Sequence, residues 1–443
     1  MPSALWVVWI VLHEYGTGVG ASTVPEVRCG TGLNRTLHQP FPVDPLPQRY
    51  LDYKAHYGLR YDPRRTVVRN GTLEHPVRER KKLFPPRLPY DPPLLSVFNI
   101  ISFVNGPCVV RRVGPVKEGI PEPGWNGICY HEQECGLLQG TPMDSCAGGF
   151  GVCCVFRFGC DGRTEQNVSY FHSPHYPAPA TGSLPCGFTL TLHRAVRQVL
   201  LEFVFFELAP PHVGSCVVDQ FIVSVQNDHR VYPVLCGINS GQHMYLDVDG
   251  AYSHRLFLSG AFSTNQPRAF LVRITQLASR RAPTGCLQFH DGLTGVLKSF
   301  NYDSHSMLVP NRKASYFNNL NYAICIRRQN KFCDVVLTNE DALGAENIFQ
   351  IVNIAEDGSS LVPANQAGVE LFSCPNDYIA INFVRLCGER LNDGSLVADF
   401  TINKPVTHTS AGPVVIAVRT DESIVGRGFK LTFKQLVCVD KPV

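Results

Sequence analysis

Charge is scarce in this chain. Only 17% of its 443 residues are Asp, Glu, Lys or Arg, and the formal net charge is +3. A balance so near neutral gives no reason to invoke a nucleic acid or an anionic membrane as partner. Long apolar runs are lacking as well. Ala4 to Leu12 (ALWVVWIVL) falls well short of the roughly 20 residues that cross a bilayer. The final residues, VCVDKPV, offer no hydrophobic tail for a lipid anchor. No membrane span is therefore expected. Catalytic signatures are missing too: there is no G-x-S-x-G elbow and no Gly-Asp-Ser-Gly segment. His13-Glu14 and His131-Glu132 lack the second His that a zinc protease helix needs. The cysteines form no C-x-x-C and are not followed by a His pair, so zinc spacing is absent. These absences argue against an enzyme.

Cysteine, by contrast, is abundant, with 17 residues. Such a density is ordinary in an oxidising compartment and unusual in a reducing cytosol, which points to disulfides and an extracellular, secreted chain. Residues 1–21 agree with that. The run Ala4 to Leu12 is followed by the small-x-small triplet Val19-Gly20-Ala21, which fits signal-peptide cleavage before Ser22. No Lys or Arg precedes the run, and a buried N-terminal segment is the alternative. With secretion, the sequons at Asn34, Asn70 and Asn167 become glycosylation candidates.

Residues 22–95 are rich in Pro, Arg and Tyr and hold no lasting hydrophobic period. They read as a disordered, Pro-rich arm with polyproline II character. Arg78-Glu79-Arg80-Lys81-Lys82 within it reads either as an exposed cleavage site or as a solvated charge run. Residues 96–158 hold six cysteines, closing on adjacent Cys153 and Cys154. Neighbouring cysteines rarely bond each other, so each should reach a different partner and tie a knot. The order, with its closing Gly-Val-Cys-Cys, resembles the clip domain of arthropod protease cascades. That resemblance implies the pairs Cys108–Cys153, Cys129–Cys146 and Cys135–Cys154.

From residue 160 to 277 the pattern is β. Phe188, Leu190 and Leu192 alternate with Thr189 and Thr191; Val199, Leu201, Phe203 and Phe205, then Phe221, Val223 and Val225, then Phe270, Val272 and Ile274 recur at every second position. Period two means one buried face per strand, and many short strands between Pro, Gly and Asn turns imply a sandwich. Cys160, Ser173-Pro174-His175-Tyr176-Pro177, Cys186, Cys216-Val217-Val218-Asp219 and Cys236-Gly237 resemble a CUB domain. The family fold is an antiparallel β-sandwich, and the resemblance implies Cys160–Cys186 and Cys216–Cys236. Residues 282–440 repeat the pattern loosely: Cys286, Cys325, Cys374-Pro375-Asn376-Asp377 and Cys387-Gly388. This is similar to a second, divergent CUB domain with Cys286–Cys325 and Cys374–Cys387. Cys333 and Cys438 are left over and are expected to join each other. An insertion around 339–368 has no family counterpart. The expected fold class is thus all-β: two disulfide-stapled sandwiches after a small knot and a disordered arm.

Many CUB domains bind calcium through one Glu and two Asp near one end of the sandwich. Calcium takes about six to eight hard oxygen ligands. The resemblance offers Glu370, Asp377 and Asp421 in the second domain as a calcium set; solvated loop acids are the alternative. The first domain keeps Asp219 and Glu207, but its last loop, Ser263-Thr264-Asn265, has no acid. Weak or no calcium is expected there. Cys29 has no assigned mate, which suggests a disulfide-linked dimer or a small-thiol cap. The assembled order resembles secreted arthropod proteins in which a small knot precedes CUB modules. That likeness is one of architecture and carries no activity with it; the leading reading is a non-enzymatic adaptor that binds extracellular proteins or glycoproteins with its CUB faces. A regulator or inactive relative of a clip-type protease cascade, and a structural matrix or cuticle component, are the other readings.

Overall fold

The computed structural model describes residues 103–110, 124–308, 312–340, 348–410 and 412–438. The expected signal peptide, the Pro-rich arm with Cys29, Asn34 and Asn70, and the Arg78–Lys82 run lie outside the described residues.

The knot is a small sheet: β1 (Pro107–Val110), β2 (Trp125–Tyr130), β3 (Thr141–Cys146) and β4 (Gly151–Val155), in the order β1-β2-β4-β3. One helix, α1 (Glu132–Leu137), joins β2 to β3. Disulfides Cys108–Cys153, Cys129–Cys146 and Cys135–Cys154 cross-link it. A sheet this small buries little core of its own, so cross-links carry much of its stability. Its Trp125 is fully buried and stacks edge-on against Tyr170 of the next domain at 4.8 Å.

The first sandwich has nine strands: β5 (Arg157–Phe158), β6 (Gly162–Thr164), β7 (Val168–His172), β8 (Leu184–Thr191), β9 (Gln198–Glu207), β10 (Asp219–Val225), β11 (His243–Asp247), β12 (Arg255–Phe262) and β13 (Ala269–Leu277). They form sheets β10-β12-β8-β6 and β11-β9-β13-β7-β5. The second has ten: β14 (Cys286–His290), β15 (Thr294–Lys298), β16 (Asn321–Ile326), β17 (Phe332–Thr338), β18 (Ala367–Val369), β19 (Tyr378–Ile381), β20 (Val384–Gly388), β21 (Val406–His408), β22 (Val414–Arg419) and β23 (Lys430–Val437). Their sheets are β14-β16-β22-β19-β20-β18 and β15-β23-β17-β21. A short helix, α2 (Glu370–Ser373), follows β18. Pairing is antiparallel except where an entering strand lies on an edge: β5 on β7, β6 on β8 and β14 on β16 are parallel.

Period-two alternation produces the inner faces. Phe188 and Leu190 of β8, Phe221, Val223 and Val225 of β10, and Leu431 and Phe433 of β23 are buried. Disulfides Cys160–Cys186 and Cys216–Cys236 staple the first sandwich; Cys286–Cys325, Cys333–Cys438 and Cys374–Cys387 staple the second. Each native bond of this kind contributes about 2–4 kcal/mol, mainly by restricting the unfolded chain.

The sandwiches share an interface. Leu200 and Tyr245, on the outer face of the first, pack with Ala282 and Phe289 of the second. Gln242 accepts from Gln288 at 3.0 Å and donates to the Ser299 carbonyl at 3.1 Å. Asn301 donates its N–H to Asn239 Oδ1 and accepts the Ile238 N–H. The Cys-Gly of the first domain explains itself here. Gly237 has φ +64, and an added Cβ would lie 2.0 Å from Asn301 Oδ1, so only glycine fits.

Candidate functional site

The C-x-x-Asp of each domain places an aspartate at the mouth of a strand: Asp219 opens β10, an edge strand of the first sandwich, and Asp377 immediately precedes β19, an inner strand of the second. Both carboxyls are essentially excluded from water. A buried carboxylate needs a compensating charge or hydrogen bonds. The two domains supply different ones.

In the first domain Asp219 Oδ2 receives Arg268 Nε at 2.9 Å and the Ala209 N–H at 2.8 Å. Arg268 is 1% exposed and lies over the Phe262 ring at 4.9 Å. Its remaining donors hold two loops: Nη1 the Gly182 carbonyl before β8, and Nη2 Thr264 in the last loop. An internal cation thus ties together β10 and the loops around it. Glu207 has turned away to another task. Its carboxylate accepts from Ser306 Oγ and from the Met307 and Leu308 amides of the second domain.

In the second domain Asp377 has no cationic partner among the described residues. Its Oδ2 accepts from Tyr316 Oη at 2.6 Å and its Oδ1 from the Asp421 N–H at 2.7 Å. Asn353 cradles the backbone: its Oδ1 accepts the Asn376 and Asp377 amides, and its Nδ2 donates to the Asp377 carbonyl. Burial outweighs these bonds, and the Asp421 charge adds to it, so the Asp377 carboxyl is pushed up to about 6. Asp421 Oδ1 accepts from the Ser423 amide and hydroxyl, which orders the loop before β23. The same Tyr316 hydroxyl accepts the Val352 N–H.

Asp377 and Asp421 therefore meet, and Glu370 does not join them. It opens α2 with φ +66 and an exposed side chain. Among the described residues, no three His, Cys, Asp or Glu side chains lie close enough to hold a metal ion. What the pair offers a cation is two uncompensated carboxylates among hard oxygens, the chemistry calcium prefers, with fewer protein ligands than it fills. Asn353 and Tyr316 were not legible as part of this site. Asn353 belongs to the insertion, which lies across the sandwich end through reciprocal backbone bonds from Gln350 to Gly428 and from Ile351 to Gly388. Asn167 is half-exposed just before β7, and Ser169 of its sequon is buried.

Two family matches accord with this architecture. The Animal CUB domain family matches residues 283–436, and the CUB domain family matches residues 160–266. The sequence matches no curated protein. Among solved structures, the chain is similar to the CUB1-EGF-CUB2 domains of rat MASP-1 at 17% identity, covering 63% of this chain and 99% of that one, with TM-score 0.22. The CUB1-EGF-CUB2 domain of human MASP-1/3 is similar at 17% identity, covering 61% and 100%, with TM-score 0.22. The MASP-1 CUB2 domain bound to Ca2+ is similar at 19% identity, covering 26% and 98%, with TM-score 0.23. Sandwiches of this topology, with their Cys-x-x-Asp and Cys-Gly landmarks and two family matches in tandem, make this a chain that carries two CUB domains.

Proposed function

We propose that the chain is a secreted, non-enzymatic adaptor that binds extracellular proteins or glycoproteins through its second CUB domain, with calcium at the Asp377 end. CUB domains commonly mediate protein–protein contacts, and only CUB domains are matched here. The observation that carries the reading is the pair Asp377 and Asp421, whose charge no described cation offsets. Those two carboxylates would hold the ion, and water would complete its shell. The bound charge would fix the Asp421–Ser423 loop and present a positive centre to a carboxylate or carbonyl of the partner, or bring a partner Lys or Arg against the ligating acids.

Secretion is supported by the eight disulfides and by the apolar run before Ser22. One observation favours a second reading, a regulator allied to clip-type protease cascades of arthropods. The knot's three bonds connect its cysteines first to fifth, second to fourth and third to sixth.

Affinity capture from extracellular fluid tests the adaptor reading. A partner should be held in calcium and released in EDTA, and Asp377→Ala or Asp421→Ala should weaken its capture while the chain stays folded. Capture that is equal in EDTA and in both variants would overturn it.

A further inference from the structure

A basic groove lies at the other end of β22 from the acid pair, beside Val414 and Ile326 and not beside Arg419 and Asp421. We propose that it binds a sulfated polysaccharide, independently of the calcium-linked site. The groove is open, has a volume of about 800 Å³ and is formed by the segment joining the domains and the turn between β16 and β17. Five cations line it: Arg280, Arg281, Arg327, Arg328 and Lys331.

Two of these are already spoken for. Arg280 pairs with Asp247 at 3.5 Å and Arg281 with Asp291 at 3.4 Å. The other three have no carboxylate among the described residues. Arg327 lies over the Phe289 ring at 5.4 Å and donates to the Arg281 carbonyl. Lys331 is exposed. Arg328 is half-buried and held rigidly by the Gly412 and Ser410 carbonyls and by His408 Nδ1. Its Nη1 is buried with no partner among the described residues, a donor left unspent. Three unmatched cations on one five-residue turn, Arg327 to Lys331, are costly to gather without an anionic ligand.

The walls favour a carbohydrate over an acidic peptide. Half-exposed Phe332 and exposed Pro283 and Pro413 present apolar surface between the cations. Sugar rings carry apolar faces that lie on such surfaces, and their sulfates project outward to the groups around them. Guanidinium forks match sulfate geometry with paired hydrogen bonds. No titration, redox step or metal is involved.

The test measures binding of a fully sulfated heparin hexasaccharide to the intact secreted chain at about 0.15 M salt, where surface charge is already screened. Three proteins are compared: wild type, the double variant Arg327→Gln/Lys331→Gln, and Lys434→Gln on the exposed face of β23. The exposed double variant should fold normally, which its thermal unfolding checks. The expected result is saturable binding by wild type and by Lys434→Gln, with at least about tenfold weaker binding by the double variant. Chemically desulfated hexasaccharide should not bind. No binding by wild type would overturn the proposal. So would equal loss in Lys434→Gln, undiminished binding of the desulfated sugar, or a hexaglutamate peptide bound as tightly.

Discussion

Asp219 and Asp377 occupy corresponding places in the two CUB domains and are satisfied in opposite ways. Asp219 is locked to a buried arginine, and the last loop of that domain hangs on the same guanidinium. Asp377 leans on a tyrosine hydroxyl and a backbone amide and faces a second acid across the loop. The first end is closed by an internal cation. The second is open in that sense: among the described residues it is held by neutral donors alone, and burial pushes the Asp377 carboxyl up to about 6. The same corner of one fold is thus satisfied by a charge in one copy and by neutral groups in the other.

Removing the arginine tests the closed end and should produce the largest effect. Arg268→Ala strands Asp219 in a dry site and should destabilise the chain by about 3–5 kcal/mol, measured by denaturant unfolding. The paired replacement Arg268→Met with Asp219→Leu should recover most of that loss, because apolar substitutes of similar volume leave no buried charge. A small effect of Arg268→Ala would end the contrast.

A second test asks whether the two domains stand or fall together. His243 and His290 face each other across their interface at 5.1 Å, and His243 Nε2 accepts the Phe289 N–H. Burial, and then the neighbouring imidazole, push His290 down to about 4; burial likewise lowers His243. A folded value below the unfolded 6.5 means that the unfolded chain binds the extra proton between those limits. The His290 contribution to stability is full above about pH 6.5 and is lost as pH falls from there through about 4, by about 3 kcal/mol; the raised Asp377 carboxyl works in the opposite direction, so the comparison is made between variants. His290→Phe should flatten this acid limb in equilibrium unfolding across pH 7 to 4. An unchanged limb would separate the interface from the pH response.

Tyr316→Phe sharpens the open end. It removes the hydroxyl that serves both Asp377 and the Val352 amide, and should cost about 1–3 kcal/mol, less than the arginine loss. The same change should raise the Asp377 carboxyl further, which carbon-detected titration of that side chain would show.

Much of the fold was written in local pattern. Alternation marked β8, β10 and β23 because one face of each meets the core and the other meets solvent or polar neighbours. Along β9 the alternation understates burial. Leu200 is covered by the second domain and Phe205 packs with Tyr176 and Leu271 in the cluster under the knot, so both faces are dry. A strand's own sequence does not announce that another domain will cover its outer side. The acid pair was legible from Cys-x-x-Asp and the loop before the last strand. Glu370 was placed with it by the family resemblance; it sits exposed at a left-handed position, φ +66, apart from the pair. Arg268 lies 49 residues from Asp219. The one available hint was a loop that had lost its acid, Ser263-Thr264-Asn265, with an arginine close behind. Asn353 sits in an insertion without a family pattern, so nothing in the sequence marked it.

The most direct measurement is a calcium titration followed by thermal unfolding, on wild type, Asp377→Asn and Arg268→Lys. Wild type should gain stability with added calcium, by about 2.7 kcal/mol at a hundredfold excess over its dissociation constant. Asp377→Asn should gain none, and Arg268→Lys, which keeps the first end charged and closed, should gain as much as wild type. A calcium response that survives Asp377→Asn, or no response in wild type, would contradict the division between a closed first end and an open second one.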